Sequence, residues 1–324
     1  MTAAPGTLPR EGLGTLPTPL LEAPRLSAAL GAEIWLKRDD LTGLGLGGNK
    51  VRALEYLLAD AHDRQADCLI TGGGPQSNWA ALAALAAARA GLHAELFAYG
   101  PPQAVSGNLL LAELAGADVH FTGDPDRASV DREVAARGAA LRRAGRRPYL
   151  LPRGGATPLG AVGYVAAAAE LADQLAGTGL ERVELWLATG SCGTQAGLVA
   201  GARQYGAGWK VVGVSVSRPV AECRRRVADL AAGAAALLGL PSPPAGDATD
   251  VTVLGGHLGP GYGVPSAAGR QAASLVARTE GVLLDPVFAA KAMAALAATI
   301  RAGGCRGPVV FLVTGGAPTL FAVR

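Results

Sequence analysis

The sequence predicts an α/β protein whose mostly parallel sheets are covered by helices. Short β-branched or aliphatic runs alternate along the chain with longer stretches rich in Ala and Leu, a pattern typical of parallel sheets buried on both faces. Gly-rich stretches follow several of these runs, which is where α/β sheets bind ligands. The 324 residues, half of them hydrophobic and 17% charged, suffice for two domains or lobes.

Six segments are predicted strands, because each is a short run of mostly aliphatic or β-branched residues. In chain order they are residues 34–37, 68–71, 94–98, 183–188, 210–216 and 309–313. Eight segments are predicted helices, because each is longer and rich in Ala and Leu. In chain order they are residues 50–63, 77–90, 107–115, 131–144, 160–175, 194–204, 265–279 and 288–302.

Charge and composition argue against a nucleic-acid, membrane or metal-binding protein. The net charge of +3 is spread out, and aromatic residues do not alternate with basic ones, so no nucleic-acid surface is predicted. Apolar runs are too short to span a bilayer, and residues 1–14 lack a signal-peptide pattern. The four cysteines lack CxxC spacing, which disfavours a zinc site or a disulfide framework. We therefore expect a cytoplasmic protein without a metal site.

The most informative segment is TGLGLGGNK, residues 42–50, in which four glycines precede Lys50. Glycines let the backbone approach a ligand closely, and a desolvated lysine can form a Schiff base with a carbonyl. The alternative is a surface loop with a solvated lysine ahead of a helix. Further Gly-rich stretches at residues 189–194 and 314–316 favour the ligand-binding interpretation.

Two other Gly-rich segments follow predicted strands and open helices. The segment TGSCGT, residues 189–194, offers a helix N-terminus and hydroxyls suited to a phosphate dianion, or forms only a tight turn. In GGGPQSN, residues 72–78, Ser77 and Asn78 could cap a helix or hold a carboxylate. An imine-forming lysine, a phosphate cup and a carboxylate cup together predict pyridoxal 5′-phosphate (PLP) with an amino-acid substrate.

Seven separated segments occur in an order typical of one enzyme family. They are LKRDDLTGLGLGGNKVRALEYLL, GGGPQSNWA, PRGGATPLGAVGYV, ATGSCGTQAGLVAG, GPGYG, EGVLLDPVF and VTGGAPTLFA. They resemble the D-cysteine desulfhydrase and 1-aminocyclopropane-1-carboxylate (ACC) deaminase family of fold-type II PLP enzymes. The resemblance covers nearly the whole chain and implies a homodimer with a fold like the tryptophan synthase β subunit, built on two open, twisted, mostly parallel sheets. It also implies a large domain of residues 1–50 and 154–324, a small inserted αβα domain of residues 51–153, and an active site in the cleft between them.

By this resemblance, Lys50 carries PLP as a Schiff base and is catalytic together with Ser77 and Tyr262. Asn78 would hydrogen-bond the phenolic oxygen of PLP, and Ser77 would act at the substrate carboxylate or handle a proton. Tyr262 would lie over the active site, and Thr314 would face the pyridine nitrogen. The residues implied to hold the phosphate, chiefly through backbone N–H groups, are Thr189, Gly190, Ser191, Cys192, Gly193 and Thr194.

Three residues depart from the family pattern. Phe288-Ala289 stands where ACC deaminases usually have Tyr-Glu and desulfhydrases have Tyr-Thr, and Trp79 replaces a histidine and could reshape or narrow the pocket. Without the glutamate, a neutral Thr314 hydroxyl would not keep the pyridine nitrogen protonated, so ACC ring opening is not expected. The residues predicted to contact substrate are Ser77, Asn78, Trp79, Tyr262 and Phe288.

The sequence therefore predicts a PLP-dependent lyase that performs α,β-elimination on a small β-substituted amino acid. D-Cysteine is the simplest such substrate and would give pyruvate, ammonia and sulfide. The alternatives are a β-replacement enzyme, a sulfo-lyase-type enzyme that expels sulfite, and a non-catalytic PLP-binding protein. An ACC deaminase is less favoured.

Overall fold

A computed structural model describes residues 8–180, 182–206, 208–244, 246–305 and 307–322. Within these ranges the strands form two sheets, and helices pack on both faces of each. The predicted α/β class with two mostly parallel sheets is confirmed. The prediction that no signal peptide is present falls partly on residues 1–7, which lie outside the described residues.

The bounds of the described elements are as follows. The strands are β1 (Leu20–Glu22), β2 (Ile34–Lys37), β3 (Cys68–Gly73), β4 (His93–Ala98), β5 (Asp118–Phe121), β6 (Pro148–Leu150), β7 (Glu184–Thr189), β8 (Lys210–Ser215), β9 (Thr252–Leu254) and β10 (Val309–Leu312). The helices are α1 (Pro24–Leu30), α2 (Lys50–Asp63), α3 (Asn78–Arg89), α4 (Gly107–Leu114), α5 (Ala128–Arg143), α6 (Pro158–Ala176), α7 (Gly193–Tyr205), α8 (Val220–Leu237), α9 (Ala267–Glu280) and α10 (Ala289–Arg301).

The larger sheet has the strand order β1-β2-β10-β7-β8-β9, and the smaller sheet has the order β5-β4-β3-β6. Every described pair of neighbouring strands is parallel except β1 with β2. Strand β10 lies between β2 and β7, so that Val310 is in register with Trp35 on one side and Leu185 on the other. The carboxyl ends of β2, β7 and β10 therefore lie side by side at one edge of the larger sheet.

Apolar layers on both faces explain why the strands read as continuous hydrophobic runs. Helices α6, α7 and α8 pack together over one face of the larger sheet, and α1, α9 and α10 pack over the other. In the smaller sheet, α2, α3 and α4 pack on one side and α5 on the other. All four residues of β10 are buried, as expected of a strand covered on both faces.

All the unpredicted elements except α8 are short. Strands β1, β6 and β9 have three residues each, β5 has four and α1 has seven, too few to show a clear sequence period. Helix α8 has 18 residues and is missing from the eight predicted ranges. Helix α5 begins at Ala128, three residues before the predicted start. The other predicted helices agree with the structure within about two residues at each end.

Loops from the two sheets meet at the carboxyl ends of their strands. Gly48, in the loop after β2, forms a β-bridge with Gly315 after β10. The Lys50 ammonium reaches the carbonyl oxygen of Gly154 at 3.4 Å, in the turn that follows β6. Strands of the smaller sheet come from residues 68–150, and those of the larger sheet come from residues 20–37 and 184–312. The division into domains at residues 51 and 153 stays a prediction.

Candidate active site

One cavity unites most of the residues predicted for the site. It opens where the loops after β2, β3, β7 and β10 converge. Every predicted site residue except Gly193 lines it. The convergence of four separate segments supports a ligand site more strongly than any single Gly-rich loop does.

Lys50 is the first residue of α2 and presents its amine to this cavity. The Nζ atom lies 3.2 Å from Ser191 Oγ and 3.4 Å from Gly154 O. Desolvation of the ammonium lowers the pKa of Lys50 to about 8, because burial disfavours the charged form. A neutral amine, the form that attacks a carbonyl, is thus far more abundant at Lys50 than at an ordinary lysine.

Buried ion pairs fix the helix that carries Lys50. Arg52, one of the least exposed residues of α2, donates to Asp39 at 2.8 and 2.9 Å and to Glu170 at 2.9 Å. Burial alone would raise the pKa of Asp39, but the charge and hydrogen bonds of Arg52 outweigh it and leave that pKa below its usual value. Lys37 also donates to Glu170. The network ties the start of α2 to β2 and α6.

The segment after β7 forms an anion-binding cup at the N-terminus of α7. The first N–H groups of a helix have no acceptor within the helix, and its dipole favours an anion there. Cys192 precedes the helix with a φ of 79°, an uncommon conformation for a residue other than glycine. Asn49 Nδ2 donates to Thr194 Oγ1 at 2.9 Å. The Thr189 hydroxyl donates to Gln195 Oε1 at 2.7 Å, so the side chain of Thr189 is already engaged within the protein.

Ser77 and Asn78 start helix α3 at the opposite wall of the cavity. Ser77 is the N-cap, and its Oγ accepts from the backbone N–H of Ala80 at 3.2 Å. The capping interpretation is therefore correct for Ser77, yet its side chain also lines the cavity. Asn78 Oδ1 accepts from Asn108 Nδ2 at 2.6 Å.

No carboxylate lines the cavity among the described residues. Thr314, 8% exposed, lies at the carboxyl end of β10, and its carbonyl oxygen accepts from the backbone N–H of Asn49 at 3.0 Å. Asp285 is buried close to Asn78, but its oxygens accept the backbone N–H groups of Val287, Phe288 and Ala289 at 2.7 to 3.0 Å. The Asp285 carboxylate therefore stabilises the start of α10 by accepting backbone N–H groups there.

An aromatic pair forms another wall of the cavity. The rings of Tyr262 and Phe288 meet edge to face with centroids 6.1 Å apart. The Arg127 guanidinium lies 4.3 Å from the centroid of the Tyr262 ring, a cation–π contact. Burial raises the pKa of the Tyr262 phenol. Tyr262 is thus a neutral hydroxyl at ordinary pH.

The Trp79 side chain packs mainly against residues outside the cavity lining. Its side chain is 2% exposed, and Nε1 donates to Thr71 Oγ1 at 2.8 Å. A Cβ added at Gly155 would lie 2.2 Å from the Trp79 ring, so the indole is packed directly against the turn that contacts Lys50. The indole lines the cavity only in part and braces that turn.

Several lining residues were not predicted from the sequence. They are Asn49, Gly73, Gly74, Tyr99, Arg127, Gly154, Ala188, Gln195, Ser217 and Arg218. Arg153 also lines the cavity and forms a bidentate pair with Asp131 at 2.9 and 2.7 Å. Most of these residues adjoin predicted ones, whereas Tyr99 and Arg127 reach the cavity only through tertiary structure.

The cavity matches the requirements of PLP. It has an amine with a lowered pKa, a helix N-terminus for a phosphate and polar side chains for a ring hydroxyl. Among the described residues there is no group of three or more His, Cys, Asp or Glu placed to hold a metal ion. No described helix is long and apolar enough to cross a membrane.

Comparisons with known proteins agree with the resemblance. The profile of the family described as "Pyridoxal-phosphate dependent enzyme" matches residues 12–315. The chain is 42% identical to a D-cysteine desulfhydrase of Salmonella choleraesuis (strain SC-B67), over 97% of this chain and 96% of that protein. It is 41% identical, with the same coverage, to a D-cysteine desulfhydrase of Salmonella paratyphi C (strain RKS4594).

Solved structures confirm the fold. A crystal structure described as the ACC deaminase homologue superposes with a TM-score of 0.90 and 35% identity, covering 98% of this chain and 94% of that one. A PLP-dependent aspartate racemase superposes with a TM-score of 0.68 at 16% identity, covering 92% and 90% of the two chains, and shares the fold. The predicted fold-type II architecture and the predicted PLP cofactor are confirmed, and the chain belongs to the family of pyridoxal-phosphate dependent enzymes.

Proposed function

We propose that this protein is a PLP-dependent lyase that catalyses α,β-elimination on a small β-substituted amino acid, with D-cysteine as the reference substrate. The observation that carries the proposal is a cavity in which the Lys50 amine faces an anion-binding helix N-terminus and the Ser77-Asn78 pair, with no described carboxylate in its lining. The D-cysteine desulfhydrases at 41–42% identity support the choice of substrate.

The residues present would hold PLP in one orientation. The backbone N–H groups at the start of α7 and the hydroxyls of Ser191 and Thr194 would bind the phosphate. Asn78 would donate to the phenolic oxygen, and Thr314 would face the pyridine nitrogen. PLP, when bound, supplies an electron sink that stabilises negative charge at the substrate Cα.

Lys50 is the proposed base at the Cα–H bond. Its pKa of about 8 lies near the range in which a general base works best at neutral pH. The contacts with Ser191 and Gly154 keep Nζ at the cavity wall. Ser77 and the N-terminus of α3 are proposed to bind the substrate carboxylate, because that helix end offers unpaired N–H groups.

The overall reaction balances without a further co-reactant except water. The Cα proton passes to Lys50 Nζ, the Cβ–S bond breaks, and sulfur leaves with the bonding electron pair as hydrosulfide. Hydrolysis of the remaining three-carbon enamine gives pyruvate and ammonia. The Tyr262 hydroxyl is proposed as the group that handles a proton near the leaving group.

The lining also argues against ACC as a substrate. ACC has no Cα–H for Lys50 to remove, and a ring carbon is a poor leaving group. Thr314, a neutral hydroxyl, cannot hold the pyridine nitrogen in its protonated form as a glutamate would. Phe288 and Ala289 add no ionisable group.

Keto-acid release tests this proposal. The purified holoenzyme should release pyruvate from D-cysteine faster than it releases 2-oxobutanoate from ACC under identical conditions. A β-sulfonate amino acid belongs in the same series, because release of sulfite separates the sulfo-lyase alternative from the desulfhydrase. L-Cysteine in that series tests the stereochemistry, and a β-chloro amino acid tests elimination of a leaving group other than sulfur. Dominant 2-oxobutanoate formation would overturn the argument from the missing carboxylate.

A non-catalytic PLP-binding protein is the second candidate, favoured by Phe288, whose ring brings no hydroxyl to the cavity. A β-replacement enzyme is a further alternative with the same initial chemistry. The absorption band of bound PLP distinguishes a non-catalytic PLP-binding protein from an enzyme, because only in an enzyme should the band respond to added amino acids. Added thiol or other nucleophiles should divert pyruvate to a new amino acid in a β-replacement enzyme.

We also propose a homodimer in the cytoplasm, with the two domains divided at residues 51 and 153. The family resemblance supports the homodimer and the domain division. All four cysteines are free, which is consistent with a reducing compartment. Light scattering coupled to size-exclusion chromatography measures the oligomeric state directly.

A further inference from the structure

A buried asparagine from a neighbouring helix holds the amide of Asn78. Asn108 is the second residue of α4 and is 3% exposed. Its Nδ2 lies 2.6 Å from Asn78 Oδ1 and 3.2 Å from the backbone oxygen of Gln76. Asn108 does not line the cavity, so any effect on a ligand must pass through Asn78.

The direction of these hydrogen bonds is set by a backbone group. A carbonyl oxygen only accepts, so the atom of Asn108 that faces Gln76 O must be the donor Nδ2. The same nitrogen faces Asn78, which must therefore offer its acceptor, Oδ1. The NH₂ group of Asn78 is consequently turned away from Asn108.

The side chain of Gln76 fixes Asn108 in turn. The backbone N–H of Asn108 donates to Gln76 Oε1 at 2.8 Å, and Gln76 Nε2 donates to the carbonyl oxygen of Ser106 at 3.0 Å. Both partners are backbone groups, so the orientation of the Gln76 amide is also determined. The start of α4 is thereby locked to the loop before α3.

The free NH₂ group of Asn78 lies beside the loop after β10. A Cβ added at Gly316 would lie 2.4 Å from Asn78 Nδ2, so this nitrogen packs against the glycine backbone next to Thr314. Asn78 lines the cavity, and no hydrogen bond from its Nδ2 is found to any described residue. An unused hydrogen-bond donor is thus left on a residue that lines the cavity.

We propose that Asn108 is a positioning residue that keeps the Asn78 amide turned with its NH₂ group toward the phenolic oxygen of PLP. The inference rests on the proposed role of Asn78. An oxygen that carries negative charge is stabilised by a donor, whereas the amide turned over would present Oδ1 and repel it. Asn108 therefore decides whether Asn78 attracts or repels the phenolic oxygen, without itself touching the cofactor.

Binding of PLP to the apoprotein tests the inference without an activity assay. In Asn108→Asp, an ionised carboxylate only accepts, so it repels Asn78 Oδ1 and attracts Nδ2, which turns the amide over. The dissociation constant for PLP should rise about tenfold or more, with a shift in the absorption band of bound PLP. Gln103→Glu, which adds the same charge in the exposed loop before α4, should leave both unchanged.

A double-mutant cycle separates positioning from a general structural effect. Once Asn78→Ala has removed the amide, Asn108→Asp should cause no further loss of PLP affinity. Additive losses, or an unchanged dissociation constant in the folded single variant, would overturn the inference. If Asn108→Asp does not fold, Asn108→Ala removes the donor without adding a charge, and the same non-additivity is expected. Since PLP titration is independent of pyruvate release, a protein inactive on D-cysteine would leave this test intact.

Discussion

The lowered pKa of Lys50 makes a prediction that can be measured in the apoprotein. With a pKa of about 8 in place of 10.5, roughly one quarter of Lys50 is neutral at pH 7.5, against about one in a thousand for an ordinary lysine. The amine at Lys50 should therefore be about two hundred times more available as a nucleophile at this pH. The cause is desolvation in the cavity, so the effect depends on the folded protein.

Competitive labelling with trace acetic anhydride and peptide mass spectrometry measures this property. The urea-unfolded protein serves as the reference, because unfolding returns Lys50 to solvent. Acetylation of Lys50 in the folded apoprotein should rise with pH and be half-maximal near pH 8, well below the range in which an ordinary lysine titrates. The same labelling curve for Lys50 in the folded and the unfolded protein would refute the effect of burial.

Two substitutions test the surroundings of Lys50. Thr194→Asp should raise the dissociation constant for PLP about tenfold or more through like-charge repulsion of the phosphate. Thr194→Asn also loses the hydroxyl but adds no charge and keeps an acceptor for Asn49, so it should raise the dissociation constant clearly less. Equal losses in fluorescence titrations would argue against a phosphate at this turn. Gly155→Ala places a Cβ 2.2 Å from the Trp79 ring at a φ of 64° and should destabilise the protein by about 3 kcal/mol or more in urea unfolding. Gly145→Ala, at a φ of 79° with no atom within 4 Å, should show only the backbone strain of about 1–2 kcal/mol; similar losses in both variants would show that the packing of Trp79 contributes nothing.

Most of the fold could be predicted where local sequence patterns are long, with the exception of the 18-residue helix α8. The run VVFLV is apolar throughout, and β10 is buried on both faces between β2 and β7. Strands β1, β6 and β9 could not be predicted in this way, because a three-residue strand exists only through its pairing with a neighbour. Their formation depends on tertiary contacts rather than on their own propensity.

The site could be predicted where function depends on one continuous segment. Lys50 and the turn before α7 are recognisable because glycines and polar residues cluster there at the ends of strands. Asn108, which contacts Asn78 from behind the cavity wall, and Arg127, which packs on Tyr262, come from segments with no such cluster, so only the packed structure reveals them. The direction of a side chain was equally unpredictable, as the engagement of Thr189 with Gln195 shows.

The proposed mechanism depends on the attachment of PLP to Lys50. Borohydride reduction of the holoenzyme, followed by proteolysis and mass spectrometry, fixes the pyridoxyl group to its lysine. We predict a single modified peptide with the label on Lys50, the one lysine that lines the cavity among the described residues. A pyridoxyl group on Lys37, Lys210 or Lys291 instead would contradict it.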